Sequence, residues 1–259
     1  MSAQAEAKQT AVPLTSETIE VLLNRRSIRK FTDRPVPDAQ VEAILRAAFR
    51  APTSSNIQSY TVIVVKDRAT RETLSAIASN QKHVVTAPVF LAFCADLTRI
   101  GHALAQNGKS LEDNNLEAGL VASIDAALVG MSAYLAADSL GLQGVMIGAV
   151  RNNAAATAKA LGLPPHVYCV FGMCLGHAAE MPPQKPRMPY EGMVHLDRYD
   201  PAKALSAVEP YDAELMAHYV NSGRAATAET WSRDAAAKFG SKPRDRLRQE
   251  LKDQGFDWR

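Results

Sequence analysis

Residues 116–150 read LEAGLVASIDAALVGMSAYLAADSLGLQGVMIGAV, and the fold turns on them. Leu116, Leu120, Ile124, Leu128, Met131 and Leu135 recur at helical spacing over many turns. The other faces are small and apolar as well, through Ala122, Ala126, Ala127, Ala133, Ala136 and Ala137. A helix apolar nearly all round is either central to a core or part of a subunit interface. Gly141 and Gly144 end it and lead into Val145–Ile147, a short strand. Asp125, Asp138 and Gln143 interrupt the stretch. A membrane span takes about 20 predominantly apolar residues, so a buried helix followed by a strand is the expected structure.

Three further apolar runs flank this unit. Residues 60–65 (YTVIVV) are β-branched and strand-like, and 88–95 (PVFLAFCA) is continuous enough for a strand buried on both faces. Residues 167–175 (VYCVFGMCL) form the fourth run. Helical spacing predicts helices from Glu17 to about Asn24, from Asp38 to near Ala51, and from Arg68 to Ser79. A further helix is capped by Asn152-Asn153 and stopped by Gly162. Residues 100–115 carry no clear period, and 181–193, with four prolines, are an extended loop. Helix signals return at 212–221 and from Trp231 onward. Residues 1–14 are expected to be a disordered extension, and 15–259 a single domain of the α+β or α/β layered type.

Composition bounds the partners. The 259 residues are 47% hydrophobic, enough for a sizeable core. The net charge of +2 and 6% aromatic content give no reason to expect a nucleic-acid binder. The polar N-terminus lacks the apolar segment of a signal peptide, so a soluble, cytoplasmic protein is expected. Cys94, Cys169 and Cys174 lie in apolar runs without CxxC spacing, which favours packing over a disulfide framework. No phosphate-binding GxxxxGK[ST], no GxGxxG and no GxSxG is present, and the six histidines show no HExxH pairing, so no metal site is expected.

Three polar features remain. Asn24 to Phe31 (NRRSIRKF) gathers Arg25, Arg26, Arg29 and Lys30 at a helix end, around Ser27. Such cations can be a solvated capping cluster, favoured there by the helix dipole. Equally, four neighbouring positive groups repel one another, and a bound phosphate would relieve them. Lys185 and Arg187 sit in the proline-rich loop, either incidental charges or a stiffened clamp. Thr53-Ser54-Ser55-Asn56 with Gln58 offers small hydroxyl and amide groups for a polar ring or sugar, or for turns alone. The net charge hides these clusters: residues 24–34 sum to +4, residues 185–187 to +2, and the rest of the chain to −4.

RRSIRKF, followed one helix later by APTSSNIQS, resembles the opening of the flavin-dependent nitroreductase family, in its oxygen-insensitive NAD(P)H nitroreductase and major flavin reductase branch. Gln81-Lys-His83, GLQGVMIG at 141–148 with Arg151-Asn-Asn153, FGMCLG at 171–176 and Lys185-Pro-Arg187 follow in the branch's order. The resemblance implies an α+β fold with a mixed central sheet flanked by helices. It also implies a homodimer built on the long central helix, with FMN at the subunit interface. Arg25, Arg26, Ser27 and Arg29 would then hold the phosphate, the ribityl chain and the pyrimidine edge of the ring. Thr53, Ser54, Ser55 and Gln58 would come from the neighbouring loop across the interface. Gln81 would approach the polar edge, and Met146, Ile147, Gly148 and Ala149 would line the ring. Lys185 and Arg187 would close on the phosphate.

By the same resemblance the protein would pass hydride from NADPH or NADH through FMN to nitroaromatics, quinones or similar flat small-molecule acceptors, in a ping-pong cycle. No side chain need act as acid or base, and Arg29 is the candidate for stabilising reduced flavin. Members of the branch carry several arginines after the 212–221 helix, whereas here Arg224 is the sole base in residues 221–228. Arg224 is thus the candidate contact to the dinucleotide, with the choice between NADPH and NADH open. A reductase that releases free reduced flavin and a non-catalytic flavin-binding protein are the competing readings.

Overall fold

The computed structural model describes residues 14–111, 116–241 and 244–258. The expected N-terminal extension therefore lies outside the described residues, apart from Leu14, which is exposed. The strands are β1 (Tyr60–Val64), β2 (Val89–Asp96), β3 (Gln143–Ile147) and β4 (Val167–Gly176). Before β2 come α1 (Glu17–Asn24), α2 (Asp38–Ala48), α3 (Arg68–Ile77) and α4 (His83–Thr86). Between β2 and β4 lie α5 (Thr98–Gln106), α6 (Leu116–Ser139) and α7 (Ala154–Leu161). The C-terminal helices are α8 (Tyr190–Met193), α9 (Pro201–Ser206), α10 (Val208–Asn221), α11 (Trp231–Phe239) and α12 (Leu247–Asp253).

Local chemistry explains the helix starts. The side chains of Ser16, Asp67 and Asn153 accept backbone N–H bonds from Ile19, Thr70 and Ala156 and cap α1, α3 and α7. Gly162, at φ 64°, closes α7 in the left-handed conformation. The first part of the 100–115 stretch, which shows no clear period, belongs to α5, and Ile100 joins a core cluster with Ala95 and Leu97 at the end of β2. The proline-rich loop is interrupted by the single turn of α8.

The four strands pair antiparallel in the order β1-β2-β4-β3. A parallel bridge from Ser27 to Gly144 adds the mixed character at the β3 edge. Every residue of β2 is buried, as a strand covered on both faces requires. Leu91 and Phe93 pack toward α2 and α6 with Ile44, Val129 and Phe171. Phe90, Ala92 and Cys94 alternate onto the other face with Leu74, Val84 and Ile147. All three cysteines are buried and free, and burial pushes the Cys174 thiol up to about 12.

α6 lies across one face of this sheet with its small side inward. Ala122, Ala126, Val129, Gly130, Ala133 and Ala137 are buried. A Cβ on Gly130 would stand 2.3 Å from the Phe171 ring, so only hydrogen fits there. The first four residues of the long stripe face outward instead: Leu116 is 41% exposed, Leu120 42%, Ile124 55% and Leu128 39%, whereas Met131 packs against the core. Of the two roles open to such a helix, core and interface, the inner face takes the first and the outer stripe is left uncovered.

Candidate functional site

The chain leaving α1 is pinned at the β3 edge. Ile28 N donates to the Gly144 carbonyl at 2.9 Å. Tyr134 of α6, 1% exposed, donates its hydroxyl to the Arg26 carbonyl at 2.8 Å and to that of Gly144 at 3.4 Å. Strand and helix thus fix the backbone from which Arg25, Arg26, Ser27 and Arg29 project. The Arg25 guanidinium lies over the Tyr134 ring, 5.5 Å from its centroid. The Nε of Arg26 is buried without a hydrogen-bond partner, an arrangement that costs free energy unless something accepts from it.

The second basic segment is zipped onto the first. Thr32 N donates to the His177 carbonyl at 2.9 Å, and Ala179 N to that of Lys30 at 3.0 Å. Lys30 pairs with Glu180 at 2.8 Å. Gln184 then donates its amide to the carbonyl of Arg25 at 3.2 Å and to that of Leu23. This places Lys185 and Arg187 beside the Arg25–Arg29 segment. Sequence reasoning passed over Gln184, since nothing local distinguishes it; its role depends on carbonyls about 160 positions away.

α10 joins the same cluster. Lys185 Nζ donates to the Tyr219 hydroxyl at 2.9 Å and sits 5.1 Å from that ring's centroid. The Arg224 guanidinium lies 5.7 Å from the same centroid, so one tyrosine brings Arg224 to Lys185. Burial first, then Lys185 and Arg224, hold the His218 imidazole below its ordinary pKa. Among the described residues, Arg25, Arg26, Arg29, Lys185 and Arg187 form no ion pair with a carboxylate. Positive charge gathered from two distant segments, with no carboxylate in ion-pair contact among the described residues, is the electrostatic outline of an anion site.

Ile147 is buried, so its side chain serves the core and only its backbone is available, whereas Met146 beside it is 40% exposed. Gly148 and Ala149 open the 3₁₀ turn that follows β3. The carbonyl of Gln81 accepts from Ser75 Oγ and Val84 N, both at 3.0 Å, which fixes the turn before α4. Two residues on, His83 buries its Nε2 without a partner. Burial, and after it the charge of Arg29, hold His83 below the ordinary histidine value of 6.5. Folded protein therefore binds fewer protons than unfolded at and below pH 6.5, and this group's contribution to stability declines as pH falls through that value. In an NMR titration His83 is expected to protonate below 6.5, and Arg29→Ala to raise its midpoint. A midpoint at or above 6.5 in the unsubstituted protein would contradict this environment.

The Thr53–Gln58 loop is held elsewhere. Asp125 of α6 accepts from Ser54 N and Ser59 N, each at 3.1 Å. Ser54, Ser55, Asn56 and Gln58 are exposed. No hydrogen bond among the described residues joins this loop to the Arg25–Arg29 segment. Asp125 and Tyr134 are nine positions apart on α6, which puts them roughly 14 Å apart along its axis and about half a turn around it. Within one chain, the structure thus brings Arg25, Arg26, Ser27, Arg29, Lys185, Arg187 and Arg224 together and leaves Thr53–Gln58 on the other side of α6.

A family model described as the nitroreductase family matches residues 22–177, and one for that family's C-terminal domain matches 185–259. The chain is 42% identical over 217 residues to the oxygen-insensitive NADPH nitroreductase of Salmonella typhimurium, covering 84% of this chain and 88% of that one. It is 38% identical over 246 residues to an FMN reductase [NAD(P)H] of Bacillus subtilis, covering 93% and 98%. Among solved structures, NfrA2 of B. megaterium superposes with a TM-score of 0.90 at 33% identity, covering 95% of this chain and all of that one.

Proposed function

The chain belongs to the nitroreductase family, and from that membership we propose that it is an FMN-dependent NAD(P)H oxidoreductase reducing nitroaromatic, quinone or related flat acceptors. The observation that carries the reading is the pair of basic segments joined through Gln184, rich in guanidinium and ammonium groups and without carboxylate partners among the described residues. The residues fit a phosphate ester: the orphaned Nε of Arg26 needs an acceptor, and arginine presents donors in the fork that phosphate oxygens accept. Arg25, Arg26, Ser27 and Arg29 hold the phosphate, ribityl chain and pyrimidine edge, and Lys185 and Arg187 close on the phosphate. Gln81 meets the polar edge of the ring, and Met146 with the backbone of Ile147, Gly148 and Ala149 lines it.

FMN, when bound, supplies the hydride relay between a nicotinamide and a second substrate taken in turn. The chain's own work is to bind, orient and set charge. His83, held below the ordinary histidine pKa, is largely neutral near pH 7. Positive charge at that end of the site is therefore assigned to Arg29, which would favour the ring's reduced form when FMN is bound. Arg224, gathered with Lys185 on Tyr219, is the proposed contact to the dinucleotide.

The active form in this reading is a homodimer, with Thr53, Ser54, Ser55 and Gln58 serving the partner's flavin. Support comes from the uncovered Leu116–Leu128 stripe and from the loop's place on the far side of α6 from Arg25–Arg29. By length and composition α6 would pass for a membrane span. Its packing on the sheet supports instead the core helix of a soluble protein, and three free cysteines fit a reduced, cytoplasmic setting. Residues 15–259 act as one domain: Leu251 and Phe256 near the C-terminus pack with Ala95, Ala122 and Tyr168.

The deciding experiment is anaerobic addition of NADPH or NADH to the purified protein. Its yellow flavin absorption is expected to bleach and to return on adding a nitroaromatic or quinone; a yellow protein that fails to bleach is a flavin binder without this activity. The FMN reductase relative favours a second reading, release of free reduced flavin. Rapid turnover of added FMN with poor retention of bound FMN would select it.

A further inference from the structure

Asp125 is the only carboxylate between Glu117 and Asp138, in the middle of an otherwise apolar helix, and it is 1% exposed. A buried carboxylate persists only where donors compensate it. Its donors here are the backbone N–H groups of Ser54 and Ser59, at the two ends of one loop, and no cation lies within ion-pair distance among the described residues. Between those ends Ser55, Asn56 and Gln58 adopt φ of 49°, 55° and 56°. Three non-glycine residues in the left-handed region within four positions store strain that surrounding contacts must hold.

Arg99 supplies the opposite grip. Its guanidinium donates to the carbonyl of Gln58 at 3.1 Å and to that of Tyr60, while pairing with Asp96 at 3.1 Å. Acceptor on one side and donor on the other fix the loop backbone, which turns Ser54, Ser55, Asn56 and Gln58 outward. Ile124, beside Asp125 in sequence, belongs to the uncovered stripe. One helix thus carries both the face left for a partner and the anchor of this loop.

We propose that Asp125 is a positioning residue: its carboxylate pre-shapes the 54–59 backbone, so that those side chains meet FMN without an ordering cost at binding. The proposal rests on the flavin reading for its ligand, while the grip of Asp125 on the loop ends stands without it. Pre-shaping a loop in its bound form raises affinity by removing that cost.

The test uses the full chain with Asp125→Asn and Asp125→Ala, following FMN affinity by fluorescence quenching and backbone exchange by hydrogen–deuterium mass spectrometry. Asparagine keeps the size and one acceptor oxygen but turns an N–H₂ toward the other backbone N–H. FMN affinity is expected to fall roughly 10–100-fold, by analogy with the loss of groups that orient metal ligands. Exchange is expected to quicken at 54–59 and to stay unchanged at 24–31 and in β2. Unchanged affinity with unchanged exchange at 54–59 overturns the proposal, and so does faster exchange spread over the whole fold. If the unsubstituted protein takes up no FMN, the flavin reading fails, while exchange at 54–59 still decides whether Asp125 shapes the loop.

Discussion

Gly144→Ala is expected to be the most damaging single methyl addition in the protein. The new Cβ would stand 2.0 Å from the carbonyl oxygen of Cys174 and 2.8 Å from the Leu175 side chain. The first of these is backbone in β4, the strand paired with β3 through Gly144 and Leu175, so it cannot swing aside as a side chain would. The carbonyl of Gly144 also accepts from Ile28 N and Tyr134. Any shift that relieves the clash therefore pulls on the segment carrying Arg25 to Arg29. Overpacking costs about 1–3 kcal/mol, sometimes more. For a chain of this size that lowers Tm by roughly 2–12 °C, and weaker flavin retention should accompany it. Gly101→Ala in α5, with nothing within 4 Å of its added Cβ, should hold or raise Tm, since alanine is the better helix former by about 1 kcal/mol. A Gly144→Ala protein melting within 2 °C of the original, by roughly the spread that ~1 kcal/mol produces, would show that the strand edge yields more easily than its hydrogen bonds suggest.

The double variant Lys185→Ala/Arg187→Ala should show the largest effect on the cofactor. Charge-assisted hydrogen bonds contribute about 1.5–3 kcal/mol each, so losing two weakens FMN binding roughly 10²–10⁴-fold. Purified variant should be colourless or nearly so, and its affinity is measured by titrating added FMN. Stability separates this from a structural defect. Neither cation has a carboxylate partner among the described residues. Removing them orphans no buried charge and relieves repulsion from Arg25, Arg26 and Arg29. Flavin-free variant should thus melt at or slightly above flavin-free original protein, while the stabilisation that added FMN confers disappears by mass action. A variant that keeps its colour and its affinity would remove both residues from the phosphate site.

Most of the framework was readable because its signals are local. β2 and β4 are continuous apolar runs, and the caps at Ser16, Asn153 and Gly162 mark helix ends within four residues. The direction of α6 was not readable. Hydropathy favours the Leu and Ile stripe as the buried side, yet Gly130 must face Phe171 because no side chain fits there. Packing volume, which depends on partners distant in the chain, overrode hydrophobicity. The basic segments were visible as composition, but their meeting depends on Gln184. Likewise Asp125 registers in the sequence only as an interruption in an apolar run. Its two N–H donors, 66 and 71 positions away, give that charge its purpose.

The exposed stripe of α6 has a consequence for biosynthesis. A chain leaving the ribosome completes α6 at Ser139, before β4 begins at Val167. At roughly 5–20 residues per second, one to six seconds pass in which a helix apolar enough to attract a membrane insertase has half its sheet still unmade. If the proposed homodimer forms on this face, its leucine ridge stays bare until a second chain arrives. On the dimer reading, that interval before pairing is when the exposed ridge is most open to chaperones, and slow or dilute expression should lengthen it.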